Sequence, residues 1–332
     1  MDFKQISYFV QVAELGSFTR AASVLRVAQP ALSRQVRSLE VELRQPLFQR
    51  NGRGVTLTPA GQRLLEHGRG ILQQVQRARQ DLQAQRGAAS GLLCIGLPPS
   101  VSRTLTAPLV ELFQQRFPAA KLQVMESLST NLLEWLLQGR IDCAVVHNAA
   151  PSAAVLLQPV LQEQLYLVCA QPQATPTPTP TPKRKHTHTP SKAASVEPAD
   201  AMIGPPVLLA ELAQRPLVMP GRPHAIRMQL ETALAQAGLL PQVVLEIDSV
   251  PAILDLVQRQ PLHALLSLNG IRSSGRAAAF LARPVHINSA QQPLASTLFV
   301  ATSAQRPRGP LLEQASHGLL ELLLRQLIPA PT

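Results

Sequence analysis

The stretch SFTRAASVLRVAQPALSRQVRSLE, from Ser17 to Glu40, reads as two short helices joined by a tight turn. Ser17 is suited to cap the first of them. Phe18, Ala21, Ala22 and Leu25 then share one face, and Thr19 and Arg20 lie on the other. Small residues at 21 and 22 let a neighbouring helix approach closely. Arg26-Val27-Ala28 supplies the turn, and the second helix opens at Gln29 with Pro30 in its first turn, where no N–H is missed. Leu32, Val36, Leu39 and Leu43 step along one side by four, three and four, so they face a core. Gln29, Pro30, Ser33, Arg34 and Arg37 occupy the opposite side. Side chains near the start of such a helix reach base edges in the major groove: Arg pairs with guanine, Gln with adenine, and Ser suits a base or a phosphate. The blander reading of the same side is a solvated polar face.

The flanks complete a DNA-binding module. Upstream, a helix capped by Asp2 is expected to bury Phe3, Ile6, Phe9, Val10 and Ala13 before Glu14-Leu15-Gly16 ends it. Downstream, Leu47 and Phe48 lead into QRNGRGVTL, Gln49 to Leu57, where Asn51-Gly52 favours a tight hairpin. Arg50 and Arg53 flank its tip, so the hairpin reads as a wing with cations aimed at DNA backbone or minor groove. Thr58 and Pro59 then open one long helix reaching Gln85. Its positions Leu64, Gly68, Ile71, Val75, Ala78 and Leu82 alternate steps of four and three. A single packed helix could show the same heptad stripe, but a length of about 28 residues favours a coiled-coil contact with a second copy, hence a dimer.

Charge agrees with this placement. The chain has 332 residues and a net charge of +11. Residues 1–91 carry thirteen Lys or Arg against six Asp or Glu, so most of the excess lies in the first quarter. Basic side chains there release counterions from phosphates and supply the sequence-independent part of DNA affinity. Cys94, Cys143 and Cys169 sit in separate apolar runs without CxxC spacing, which predicts buried reduced thiols and no metal site. No charged leader with an apolar core opens the sequence, and no apolar stretch reaches about 18 residues, so a cytoplasmic protein without membrane contact is expected.

Beyond Gly91 strands alternate with helices, from the strand Leu92–Leu97 to a closing helix Pro310–Leu327. This alternation predicts mainly parallel sheet, and about ten strands are too many for one small sheet. The expected class is therefore α/β overall: a winged helix-turn-helix (1–58), a linker and dimerisation helix with its hinge (59–90), and two α/β lobes. Residues 91–163 with 271–332 form the first lobe, and 164–270 the second. A Thr-Pro repeat and the basic run Lys183 to His188 mark residues 172–205 as a disordered insert. A tolerated surface loop is the plain reading. An extra DNA contact through Lys183, Arg184 and Lys185, or metal capture by His186 and His188, is the sharper one.

SFTRAA (Ser17 to Ala22), AQPALSRQVRSLE (Ala28 to Glu40), LFQR (Leu47 to Arg50) and LTPAG (Leu57 to Gly61), in this order and spacing, resemble the LysR-type bacterial transcription regulators. GLPPSVSR (Gly96 to Arg103), ESLSTNLLEWLLQGRIDCAVVHN (Glu126 to Asn148) and MPGRPHAIR (Met219 to Arg227) look most like the nitrogen-assimilation-control branch of that family. The resemblance implies a co-inducer domain shaped like a periplasmic binding protein and, as a rule, a homotetramer. It also implies that Gln29, Pro30, Ser33 and Arg34 approach the major groove of double-stranded DNA, with Arg50 and Arg53 at the flanking backbone. One departure stands out: such regulators commonly carry a glycine-containing turn where this chain has Gln260-Pro261-Leu262-His263, so the turn and the nearby cleft wall are expected to differ.

A cleft between two lobes is a ready ligand site, and strand-to-helix junctions present free N–H groups there. Ser100-Val101-Ser102, Ser127-Leu128-Ser129 and Pro220-Gly221-Arg222 are such junctions. Ser100, Val101, Ser102, Ser129, Gly221 and Arg222 are thus candidate contacts for a small anionic effector, although each also suits a plain helix cap. His147 and His224 read as structural histidines. The chain contains no GxSxG, GxxxxGK[ST], HExxH or GxGxxG, so no enzyme and no cofactor is expected. The function expected is a sequence-specific regulator modulated by a small co-inducer. The alternative is a constitutive DNA binder with a degenerate cleft.

Overall fold

The computed structural model describes residues 1–51, 54–84, 91–171 and 202–327. Three helices come first: α1 Phe3–Leu15, α2 Phe18–Leu25 and α3 Gln29–Leu43. Asp2 and Gln5 cap α1 reciprocally, each side chain accepting the other's backbone N–H, and Ser17 Oγ accepts the Arg20 N–H at the start of α2. Phe9, Val12, Ala21, Leu32, Val36 and Leu39 close the core of this bundle. Phe3, expected in that core, is instead 41% exposed and lies under the guanidinium of Arg79. It sits at the first turn of α1, on the rim that faces the next long helix.

The antiparallel strands β1 Phe48–Asn51 and β2 Gly54–Leu57 follow, then α4 Pro59–Ala84. Thr58 starts α4: its hydroxyl donates to Pro46 O and accepts the Gly61 N–H. A Cβ on Gly61 would lie 2.1 Å from Leu47 O, so only glycine lets the helix begin this close to the wing. The seam predicted along α4 divides in two. Leu64 and Gly68 pack within the chain, Gly68 against Val10 and Ile6 of α1, whereas Ile71 is 37% exposed and Ala78 is exposed. Among the described residues, the stretch from Ile71 to Ala78 is thus the part of the stripe left open to another copy.

The rest of the chain folds into two lobes around one shared strand. Lobe I contains β3 Gly91–Leu97, α5 Pro99–Arg116, β4 Ala120–Glu126, α6 Ser129–Gln138 and β5 Cys143–His147. The strand β6 Val155–Ala170 runs from lobe I into lobe II. Leu161 packs in the first core and Leu165 in the second. Lobe II adds β7 Met202–Ile203, β8 Val207–Leu208, α7 Leu209–Ala213, β9 Leu217–Met219, α8 Ala225–Gln236, β10 Val243–Glu246, α9 Val250–Arg259, β11 Ala264–Ser267, α10 Leu268–Arg272 and β12 Phe280–His286. The chain returns through β13 Ala295–Ser303 to lobe I, where α11 Pro310–Leu327 packs on α5.

Three expectations change here. Residues 271–294 belong to lobe II, because β12 pairs with the far half of β6 and Ile271, Phe280, Val285 and Leu294 are buried in that lobe's cores. The sheet is mixed instead of mainly parallel: β3 pairs in parallel with β4 and β5, but β11, β12 and β13 all run antiparallel to β6. A strand that crosses both lobes meets returning neighbours in each, which forces that direction. Finally, the insert ends earlier than residue 205, since Met202–Ile203 pair with Leu281 and Ala282 at the sheet edge. Residues 172–201, with the basic and histidine run, lie outside the described residues. Among the described residues, no helix is long and apolar enough to cross a membrane.

Candidate functional site

The helix-turn-helix surface comes first. Leu32, Val36 and Leu39 are 0%, 1% and 0% exposed, and this buried side fixes the rotation of α3. The same rotation turns Gln29, Pro30, Arg34 and Arg37 out to solvent and leaves Ser33 half-buried beside them. Thr19 on α2 is exposed next to this face. Arg20 is exposed too, but its guanidinium donates to Leu15 O at the end of α1, so it braces two helices as well as bordering the face.

The wing is held by contacts that periodicity does not reveal. Glu40, on the last turns of α3, accepts the backbone N–H groups of Leu47 and Phe48 at 2.8 and 3.2 Å and so sets the entry to β1. The Val55 N–H donates to Gly16 O, tying β2 to the corner between α1 and α2. Phe48 packs its ring against Phe9 and Phe18. Arg50 lies in β1 opposite Val55, at the tip side of the hairpin. Arg53 lies outside the described residues.

Two cavities lie between the lobes. The first, about 470 Å³, is bounded by Ser100, Arg103 and Glu126 of lobe I and by His224, Asp248 and Ser249 of lobe II. The second, about 560 Å³, includes Ser129, His147 and Asn148 of lobe I and Met228, Gln229 and Thr232 on α8. His147 is buried at the end of β5, with Nε2 3.0 Å from Ser100 Oγ and Nδ1 3.2 Å from Ser296 Oγ. Its backbone N–H donates to Ser129 Oγ. Burial, helped by the nearby His224, pushes the His147 pKa down to about 4, so the ring is neutral at pH 7. His224 is also held low by burial, against the opposing pull of Asp248. Across the cleft the Asn148 amide donates to Gln229 Oε1 at 2.6 Å, joining the lobes directly.

The structure separates the six candidate effector residues. Ser100 and Ser129 line a cavity each, and both hydroxyls already serve His147. Val101 is 2% exposed in the lobe I core, and its N–H and that of Ser102 are taken by Pro98 O. Ser102 Oγ pairs with Thr106. The Gly221 N–H is held by Asp248, and Arg222, 68% exposed, turns away to Glu231. These four sit on the junctions predicted, but Val101 and Ser102 spend their N–H groups in the first turn of α5, and Gly221 and Arg222 are engaged by Asp248 and Glu231. Arg103, Glu126 and Asp248 occupy the cleft in their place. No motif marks them, since α5, the end of β4 and the segment before α9 are brought to one cavity only by the tertiary fold.

The glycine-free turn at Gln260–His263 leads directly into β11 Ala264–Ser267. The His263 N–H donates to Pro216 O, and the buried β11 brings Leu265, Leu266 and Ser267 to the wall of the first cavity. Cys94 and Cys143 are buried in the cores on opposite faces of the lobe I sheet, and burial pushes both thiols well above their ordinary range.

Comparison with known proteins agrees with this architecture. Residues 3–62 match the family described as bacterial regulatory helix-turn-helix protein, lysR family, and residues 86–324 match the LysR substrate binding domain. The nitrogen assimilation regulatory protein nac of Escherichia coli (strain K12) is 33% identical over 254 residues, covering 76% of this chain and 74% of that protein. Its namesake from Klebsiella aerogenes is 40% identical over 169 residues, 51% of this chain and 55% of that one. The crystal structure of full-length CbnR complexed with its target DNA superposes with a TM-score of 0.63 at 21% identity, covering 97% of this chain and all of that one. With both halves matched over nearly its whole length, this chain belongs to the LysR family of bacterial DNA-binding transcriptional regulators.

Proposed function

We propose that the chain acts in the cytoplasm as a homo-oligomeric, sequence-specific regulator that reads double-stranded DNA with the first turns of α3 and answers to a small molecule held between its lobes. The observation that carries the reading is the exposed row of Gln29, Pro30, Arg34 and Arg37, with Ser33 beside it, on a helix whose other side is fully buried. Arg50 and Arg53 serve the flanking phosphates. The shared fold with CbnR, solved in complex with its target DNA, supports DNA binding. The exposed Ile71 and the half-buried Val75 offer a dimer contact along α4, and a tetramer follows the family pattern.

The effector is read as a small polar molecule with an anionic group for Arg103 and a donor group for Glu126 or Asp248. Occupying the cleft would shift the balance between lobe arrangements and so the spacing and bending of bound DNA. Footprinting the neighbouring intergenic DNA with the wild type and with Ser33→Ala, Arg34→Ala tests the core of this reading. Each lost base contact should cost about 1–3 kcal/mol of discrimination between operator and random DNA. Unchanged discrimination would refute the assignment of the face.

A further inference from the structure

A third cavity, about 250 Å³, lies where α4 meets lobe I, away from the interlobe cleft and sharing no residue with it. Gln74 and Arg77 reach it from the linker helix; Asp142, Ser303 and Arg306 reach it from the lobe. Its charges do not balance. Asp142, 8% exposed, is the carboxylate there, and it is already engaged by the Cys94 N–H at 2.7 Å and by Arg77 Nε. The Arg77 side chain is only 15% exposed, yet its Nη1 and Nη2 are buried without an acceptor. Arg306 gives Nη2 to Leu136 O and otherwise faces the cavity. Ser303 Oγ accepts the Gln305 N–H, which leaves its own proton to donate, and the Gln74 amide adds further donors.

Two guanidiniums, a hydroxyl and an amide thus surround a space that contains one occupied carboxylate. The two cations also repel. Burial, reinforced by the charge of Arg77, pushes Arg306 down to about 10. Buried donors without acceptors and like charges at short range are both unfavourable, and native interiors rarely leave them unresolved. An oxyanion resolves both at once, because it neutralises the surplus charge and accepts from several donors.

We propose that this junction binds a small oxyanion of the phosphate or carboxylate class, clasped by Arg77 from the linker helix and by Arg306 and Ser303 from lobe I. Occupancy would fasten the linker helix to the lobe. Asp142 directly precedes β5, whose far end carries His147 in the cleft, so one buried strand runs between the two sites.

Isothermal titration of the full chain at low, chloride-matched salt, with inorganic phosphate in one arm and succinate in the other, tests the proposal and tells the two sources apart. Saturable binding of one ion per chain is expected in at least one arm. Arg306→Gln should weaken it about tenfold or more, the loss of a charge-assisted contact, and Arg306→Lys should restore part of it. Arg34→Ala, on the DNA-binding face, and Arg103→Ala, in the cleft, should leave it unchanged. Absence of saturable binding in both arms, equal binding by folded Arg306→Gln, or loss of binding in Arg34→Ala or Arg103→Ala would each overturn the site. If Arg306→Gln does not fold, Ser303→Ala decides: weakening of a few-fold supports the site, and no change rejects it.

Discussion

Gly70→Ala is a test of whether α4 is docked on lobe I as the structure has it. Gly70 is buried in the middle of α4, and a Cβ there would lie 2.1 Å from the backbone oxygen of Gln138 at the end of α6. That is more than an ångström inside ordinary contact, and a main-chain oxygen cannot rotate aside as a side chain can. On a free helix the same change is favourable by up to about 1 kcal/mol, because alanine restricts the unfolded chain and suits the helix. On a docked helix it forces α4 off the lobe at a cost of about 2–3 kcal/mol, the upper part of the range for overpacking. It also opens the buried contact between Arg77 and Asp142 two turns along. The balance is a loss of about 1–2 kcal/mol, or about 2–8 °C in Tm for a unit of this size. Scanning calorimetry on the full chain reads it. An unchanged or higher Tm would mean that the linker helix does not rest on the lobe, and the reasoning about the junction would fall with it.

The core under α3 and the buried histidine of β5 can be probed in the same way. Leu32→Ala empties a fully buried position beneath the exposed face of α3 and should cost about 2–5 kcal/mol in thermal unfolding, whereas exposed Arg34→Ala should stay within about 0.5 kcal/mol; equal effects would mean that α3 is rotated otherwise. His147, neutral when folded down to about pH 4 but protonated when unfolded below about 6.5, favours the unfolded chain as pH falls through that window. Stability should therefore decline from pH 6.5 to 4, by at most about 1.4 kcal/mol per pH unit from this group, and level off below. His147→Gln should flatten the decline, leaving contributions of the same sign from His224 and His263, and a curve identical to wild type would contradict the burial of His147.

How much of this was legible in the sequence varied with the range of the interaction. The bounds of α1, α2 and α3, the Ser17 and Thr58 caps and the wing hairpin were written locally, in cap residues, apolar steps and an Asn-Gly pair. So was the side of α3 that faces solvent, because a helix with one apolar stripe has only one side left for DNA. The cleft was another matter. Ser-rich junctions announce helix starts, but a start that uses its own N–H groups has none to offer a ligand, which is the case at Val101 and Ser102. The same limit applied to α4, whose stripe says that a partner exists without saying whether it is α1 of the same chain or a second copy.

The sequence by itself determined the module order, the solvent-facing residues of α3 and the two-lobed α/β plan, since each rests on periodicity and caps within about twenty residues. Only the tertiary structure decided that β12 belongs to lobe II, that Arg103, Glu126 and Asp248 share a cleft, and that Arg77 and Arg306 meet around Asp142. Those groups lie far apart in the chain, and what brings them together is a long strand threading both lobes and a helix packed through a glycine. Neither leaves a periodic trace around the charged residues it assembles.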